Sequence, residues 1–118
     1  MEKRKIEVGG VLLTLPVAKT RQEQAQGLMD IKKLAADEGM VFEYDKNVTN
    51  GYWMKNTHVP LDVAFVDAQG EIFQISKLEP HDEKIVKPSK PYRWAIEMPR
   101  GWFDKHLKTT TCAMSGID

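Results

Sequence analysis

The residues best suited to chemistry lie close together: Trp53, Lys55, Asn56, Thr57 and Asp62 all fall between Tyr52 and Val66. An ammonium, a carboxamide and a hydroxyl side by side offer hydrogen-bond donors of three shapes. Asp62 interrupts an otherwise apolar run, Leu61 to Val66. Burying a carboxylate is costly unless it is paired or hydrogen-bonded. Asp62 therefore reads either as a clamp fixing the bend to the strand, with Lys55 a candidate partner, or as an acid in a pocket. The Lys-Asn-Thr triplet reads either as a turn bonding its own backbone or as a ligand-facing loop. The residues alone leave both pairs of readings open.

Other chemistry along the chain is thinner. There is no Gly-x-Ser-x-Gly, Walker loop, His-Glu-x-x-His or Cys-x-x-Cys. Asp62 and Glu97 form a hydrolase-like acid pair if their strands are neighbours, and Cys112 with His106 is a weaker nucleophile candidate. The Glu79-Pro80-His81-Asp82-Glu83 loop offers carboxylates around a histidine, without the ligand spacing of a known metal site. Met29, Met40 and Met54, with Trp53 beside the last, suit Cu(I) or simply fill gaps in a core. If Trp53 and Met54 sit on a strand they point to opposite faces and share no pocket. No catalytic residue, metal or cofactor is assigned.

The elements that position these residues follow from pattern. Residues 5–18 read as a hairpin around Gly9-Gly10, and Thr20-Arg21-Gln22-Glu23 is a capping-box sequence opening a helix to about Met29. Gly27 within it permits close packing against a strand. Ile31 to Ala36 suggests one more turn, and Met40 to Tyr44 a strand ended by Asp45-Lys46-Asn47. Gly51 to Thr57 resembles a short strand, and the segment up to Pro60 a bend. Leu61–Val66 and Glu71–Leu78 make a hairpin with Gly70 at φ > 0. Tyr92 to Met98 alternates, placing Tyr92, Trp94, Ile96 and Met98 on one face. A short helix over Trp102 to Leu107, an edge strand within Thr109 to Met114 and a frayed Gly116–Asp118 complete the chain.

At 118 residues the chain reads as one domain with room for a single core. Its 42% hydrophobic and 29% charged residues belong to a soluble globular protein. Seventeen basic and seventeen acidic residues cancel, which removes a global electrostatic case for nucleic acid. A local excess of Lys and Arg between Lys84 and Lys108 fits a solvated face, or a surface for a phosphate or acidic partner. The single cysteine excludes an intrachain disulfide and fits a reducing compartment. The basic start followed by Val11 to Ala18 is broken by Gly9-Gly10 and Pro16, so a cytoplasmic protein is expected, without a membrane span.

Tyr52-Trp53-Met54-Lys55-Asn56-Thr57, Pro60-Leu61-Asp62 and Phe65-Val66-Asp67 with Gly70 carry a resemblance to DUF192, a domain family of unknown function. Gly27-Leu28-Met29, Gly39-Met40-Val41-Phe42 and Ala95-Ile96-Glu97 followed by Gly101 extend it over residues 17–107. Asp30 stands where the family often has arginine, and Thr109-Thr110-Thr111 lacks its late Gly-Asp. The resemblance implies a compact β-rich fold with a short helix near its start and implies no activity.

The fold expected is mainly β, a β-rich α+β chain. It is a compact antiparallel barrel-like or sandwich sheet with one N-terminal helix (about 20–29) and a short C-terminal helix (about 102–107). The function expected is a non-enzymatic binding module for a polar small molecule, sugar- or carboxylate-like. Its site is expected at Trp53, Lys55, Asn56, Thr57 and Asp62, with Glu97 and Arg100 as neighbours. The contrasting expectation is a structural or protein-interaction domain in which these residues are buried clamps.

Overall fold

A computed structural model describes residues 1–117; the expected fraying of Asp118 lies outside them. Seven strands and two short helices follow in the order β1 (Glu2–Val8), β2 (Val11–Ala18), α1 (Arg21–Gln26), β3 (Met40–Val48), β4 (Leu61–Val66), β5 (Ile72–Leu78), β6 (Tyr92–Pro99), α2 (Trp102–His106) and β7 (Cys112–Ala113). The strands form one sheet ordered β5-β4-β6-β3-β2-β1-β7. The sheet curls into a half-barrel. An isolated bridge between Glu71 and Thr111 links its two edges.

Both sequence-predicted hairpins form. The first pairs Val8 with Val11 across Gly9-Gly10. In the second, Gly70 takes φ 86° and the Asp67 side chain accepts from the backbone N–H groups of Gln69 and Glu71, each at 3.0 Å. Both strands of the β2–β3 pair run the same way, with Val17 opposite Val41, so the sheet is not wholly antiparallel as expected. A parallel pair needs a long crossover, and residues 19–39 supply it.

That crossover carries the helix, so α1 is not N-terminal; it follows β1 and β2 and is shorter than the expected 20–29. Its start matches the sequence: Thr20 Oγ1 accepts from Glu23 N at 3.0 Å, and Glu23 Oε1 accepts from Thr20 N at 3.1 Å. Gly27 ends it at φ 48°. An ideal Cβ there would stand 3.4 Å from the Phe42 ring, so the crossover packs closely on β3, as its glycine suggests. Residues 31–36 form no helical turn, and β3 runs on through Asp45-Lys46-Asn47. Of Gly51–Thr57, only Tyr52 pairs as a strand would, bridging Val86.

Burial explains the composition of β4, whose six residues are all buried. One face of the central strands packs into a core of Ile6, Leu15, Val41, Ile96, Met98 and Phe103. The other packs into a second cluster, with Phe42, Met54, Leu61, Val63, Phe65 and Tyr92. The single core expected is thus two clusters separated by the sheet. A strand covered on both faces reads as a continuous apolar run, and each fully buried large side chain contributes about 1.5–3 kcal/mol. Tyr92 leaves the face of Ile96 and Met98 for the second cluster, where the β3–β6 register shifts between Glu43 and Val48. The tail is held as far as Ile117, whose N–H donates to Lys5 O at 2.8 Å.

Thr20→Ala removes one half of the capping box and should cost about 1 kcal/mol. Thermal unfolding followed by circular dichroism should show a Tm lowered by about 4 °C; an unchanged Tm would mean the box does not hold α1.

Candidate functional site

The second apolar cluster is incompletely roofed. Between α1 with its Gly27-Leu28-Met29 extension and the 50–57 bend lies a cavity of about 430 Å³, whose floor includes Phe42 and Tyr44 from β3 and Glu97 from β6. That volume falls within the range of about 300–1,000 Å³ typical of small-molecule sites.

Backbone and side-chain bonds hold the bend over the cavity. Tyr52 exchanges two hydrogen bonds with Val86, at 2.9 and 2.8 Å, and Met54 N donates to Asp82 O at 2.7 Å. The Tyr52 hydroxyl lies 2.9 Å from the hydroxyls of both Tyr44 and Tyr92, and Tyr92 donates to Asn50 O at 2.7 Å. Burial pushes the Tyr52 and Tyr92 hydroxyls up from their ordinary range, so both stay neutral donors. Asp30 N donates to Asn56 O at 2.9 Å, tying the crossover to the bend. Asp30 and Asn56 both sit at positive φ, 66° and 54°. Short polar side chains tolerate that conformation better than most. Across the cavity, Gln24 donates to Glu43 O at 2.9 Å and fixes α1 to β3.

Glu97 is the anomaly of the site. It is 5% exposed, faces the cavity, and its carboxyl has no hydrogen-bond partner among the described residues. Burial alone pushes its pKa up to about 8. At neutral pH the carboxyl is therefore mostly protonated.

The residues singled out from sequence divide between two places. Trp53, Thr57 and Glu97 line the cavity; Lys55, Asn56, Asp62 and Arg100 do not. Lys55 and Asn56 are exposed, with the Lys55 ammonium 5.4 Å from the Trp53 ring centroid. Thr57 is buried and its hydroxyl donates to Lys55 O at 3.2 Å, the local turn bond that its residue type allows. Asp62 and Glu97 lie on adjacent strands, but Asp62 pairs with Met98 and Val63 with Glu97. Alternation then sends the two carboxyls to opposite faces, and the acid pair is not formed.

On its own face Asp62 accepts from Gly101 N at 2.8 Å, with Arg100 rather than Lys55 as its ionic partner. Its Oδ1 lies 3.0 Å from Arg100 Nε, yet that N–H is directed at Leu61 O, 3.3 Å away. The contact is an ion pair without a hydrogen bond. The contact joins β4 to the turn before α2, beside a second cavity that Asp62, Arg100 and Gly101 line.

The remaining candidates are also placed. Cys112 is buried in the first cluster with its thiol pushed up to about 11 by burial, and His106 stacks on Trp102 instead of approaching it. His81 Nε2 lies 3.3 Å from His58 Nδ1, while Asp82 accepts from Lys84 N and Glu79 pairs with Arg100. Met29 and Met54 line the cavity with Trp53, whereas Met40 packs beneath them in the second cluster. Trp53 and Met54 share the cavity because residues 53–57 form a bend, where strand alternation does not apply. Sequence reasoning missed Arg21, Gln24, Tyr44 and Asn50 as cavity residues. The available signal was the Gly27-Leu28-Met29 motif, which marks the wall opposite the bend.

The raised pKa of Glu97 has a definite consequence for stability. Its folded-state value of about 8 lies above the ordinary 4.5, so between those values the native state holds more protons than the unfolded chain. Stability from this group is complete below the lower value and is lost as pH rises toward the upper one. Glu97→Gln, which cannot ionise, should match wild type near pH 5 and exceed its Tm by more than about 5 °C at pH 9. Calorimetric Tm–pH curves that run parallel for the two proteins would contradict this.

Among the described residues no helix is long and apolar enough to cross a membrane. No curated protein matches the chain. Two crystal structures share its fold over nearly all its length. One, from Sinorhizobium meliloti 1021, is provisionally described as a transcription regulator; it is 27% identical with a TM-score of 0.87, covering 95% of this chain and 92% of that one. The other is a protein of unknown function from Novosphingobium aromaticivorans DSM 12444, 27% identical with a TM-score of 0.85, covering 94% of this chain and 83% of its own. The DUF192 profile, described as "Uncharacterized ACR, COG1430", matches residues 4–110. The chain, with its cavity between the Gly-Leu-Met and Trp-Met-Lys-Asn-Thr segments, belongs to the DUF192 family.

Proposed function

We propose that this protein is a binding module for a small polar molecule, held in the cavity between α1 and the 50–57 bend. The observation that carries the reading is the Glu97 carboxyl, buried at the cavity floor with no protein partner. Unsatisfied buried polar groups are rare and costly in folded proteins, so a polar side chain left open toward a cavity is suited to a ligand. The walls add Trp53 at 43% exposure near the mouth, the apolar faces of Leu28, Phe42 and Met54, and the polar Gln24, Asn50 and Thr57. The lining is somewhat more polar than apolar, which suits a polar ligand.

Lys55 and Asn56 act in this reading through the backbone of the bend and at its outer surface, and Asp62 with Arg100 keeps β4 and α2 in place. The site thus moves from the Lys-Asn-Thr triplet toward Glu97 and α1. The reading is binding without catalysis.

A panel of sugars, amines, amides and carboxylates screened by amide NMR should perturb residues 24–29 and 50–57 together. Ala25→Phe, which adds bulk to the cavity wall, should weaken any such binding at least about tenfold. Perturbations confined to the Asp62–Arg100 side, or binding indifferent to Ala25→Phe, would place the site elsewhere.

A further inference from the structure

We infer that the ligand enters this cavity with a protonated amino group, which Glu97 holds as an ion pair at the floor. The inference rests on the binding-module reading and names the chemistry that reading requires. A carboxyl that faces a cavity without a protein partner can keep its proton, be met by water, or meet a cation that brings its own donors. An ammonium supplies three N–H donors and a full charge, and a charge-assisted bond is roughly twice as strong as a neutral one. The surroundings also suit a cation. Phe42, Tyr44, Tyr52 and Trp53 all line the space, and aromatic rings attract ammonium groups. A carboxylate-bearing ligand would instead accept a hydrogen bond from the protonated Glu97 and release no proton on binding. A sugar hydroxyl would donate a hydrogen bond without supplying the charge.

Proton linkage distinguishes the classes. Glu97 keeps its proton to about pH 8; taking up an ammonium requires the ionised form, so binding expels that proton into solvent. Other ionisable groups around the cavity are Arg21 on α1, Tyr44 on β3 and Tyr52 on the bend, with Tyr92 behind Tyr52. The Tyr52 and Tyr92 hydroxyls, pushed up by burial, do not titrate in the window concerned.

The test uses benzylamine and benzyl alcohol as matched probes, followed by amide NMR of residues 24–29 and 50–57 and by calorimetry in two buffers of different ionisation heat. Benzylammonium should bind at least about tenfold more tightly than the alcohol at pH 8. Its affinity should rise by up to about tenfold per pH unit between pH 6 and 8, with close to one proton released at pH 7. Glu97→Gln should abolish both the preference and the proton release. Equal binding of the two probes, or benzylammonium binding unaffected by Glu97→Gln or without proton release, overturns the ammonium assignment while leaving the cavity as a binding site. No perturbation of either segment by either probe at millimolar concentration overturns both readings.

Discussion

Both faces of β4, of the start of β3 and of most of β6 are buried, and most of the structure follows from that constraint. A curled seven-stranded sheet covers its inner face with its own residues and with α2. It cannot cover its outer face alone. The crossover between β2 and β3 and the long excursion between β3 and β4 supply that cover. Each is tied down by its own bonds, Gln24 to β3 on one side and Tyr52 to Val86 on the other. They meet through Asp30 and Asn56 but do not fully close over Phe42 and Glu97. The cavity is the gap that remains, and Glu97 is the residue that β6 contributes to its lining.

This arrangement explains why one sequence segment carries two jobs. In Tyr52–Thr57, Met54 is a core residue, half-buried Tyr52 packs against the second cluster, both line the cavity with Trp53 and Thr57, and Lys55 and Asn56 form the turn between them. Asn56 suits its position because of the backbone it must adopt as much as for its side chain. Asp62 follows similar logic on the opposite face. Its carboxyl closes the end of β4 against Arg100 and Gly101, and burying it is tolerable because one oxygen accepts an N–H and the other faces a guanidinium. Glu97 has neither form of compensation.

The strands were legible because period-two patterning and turn residues are local signals: the Gly9-Gly10 and Asp67–Gly70 turns and the Thr20–Glu23 capping box stand where the residues imply. The parallel β2–β3 pair was not legible, since pairing direction depends on how the crossover docks and not on either strand's sequence. The bend at 53–57 reads as part of a short strand, but hydrogen bonds to Asp82 and His81 draw it into an irregular path. The candidate site was half legible. Residue types marked Trp53, Thr57 and Glu97, while the register β4 makes with β6 separated Asp62 from Glu97 by a single step. A one-residue step reverses the face, and sequence carries no record of it.

The central claim is that Glu97 sits at the cavity floor without a protein partner and keeps its proton at neutral pH. A carbon-13 NMR titration of the glutamate side-chain carboxyls tests it most directly, with Glu97→Gln assigning the signal. The account predicts one glutamate carboxyl titrating near 8, absent from the variant. A Glu97 signal titrating in the ordinary carboxylate range would mean that the group is solvated or paired, and the cavity would lose the feature that makes it a site.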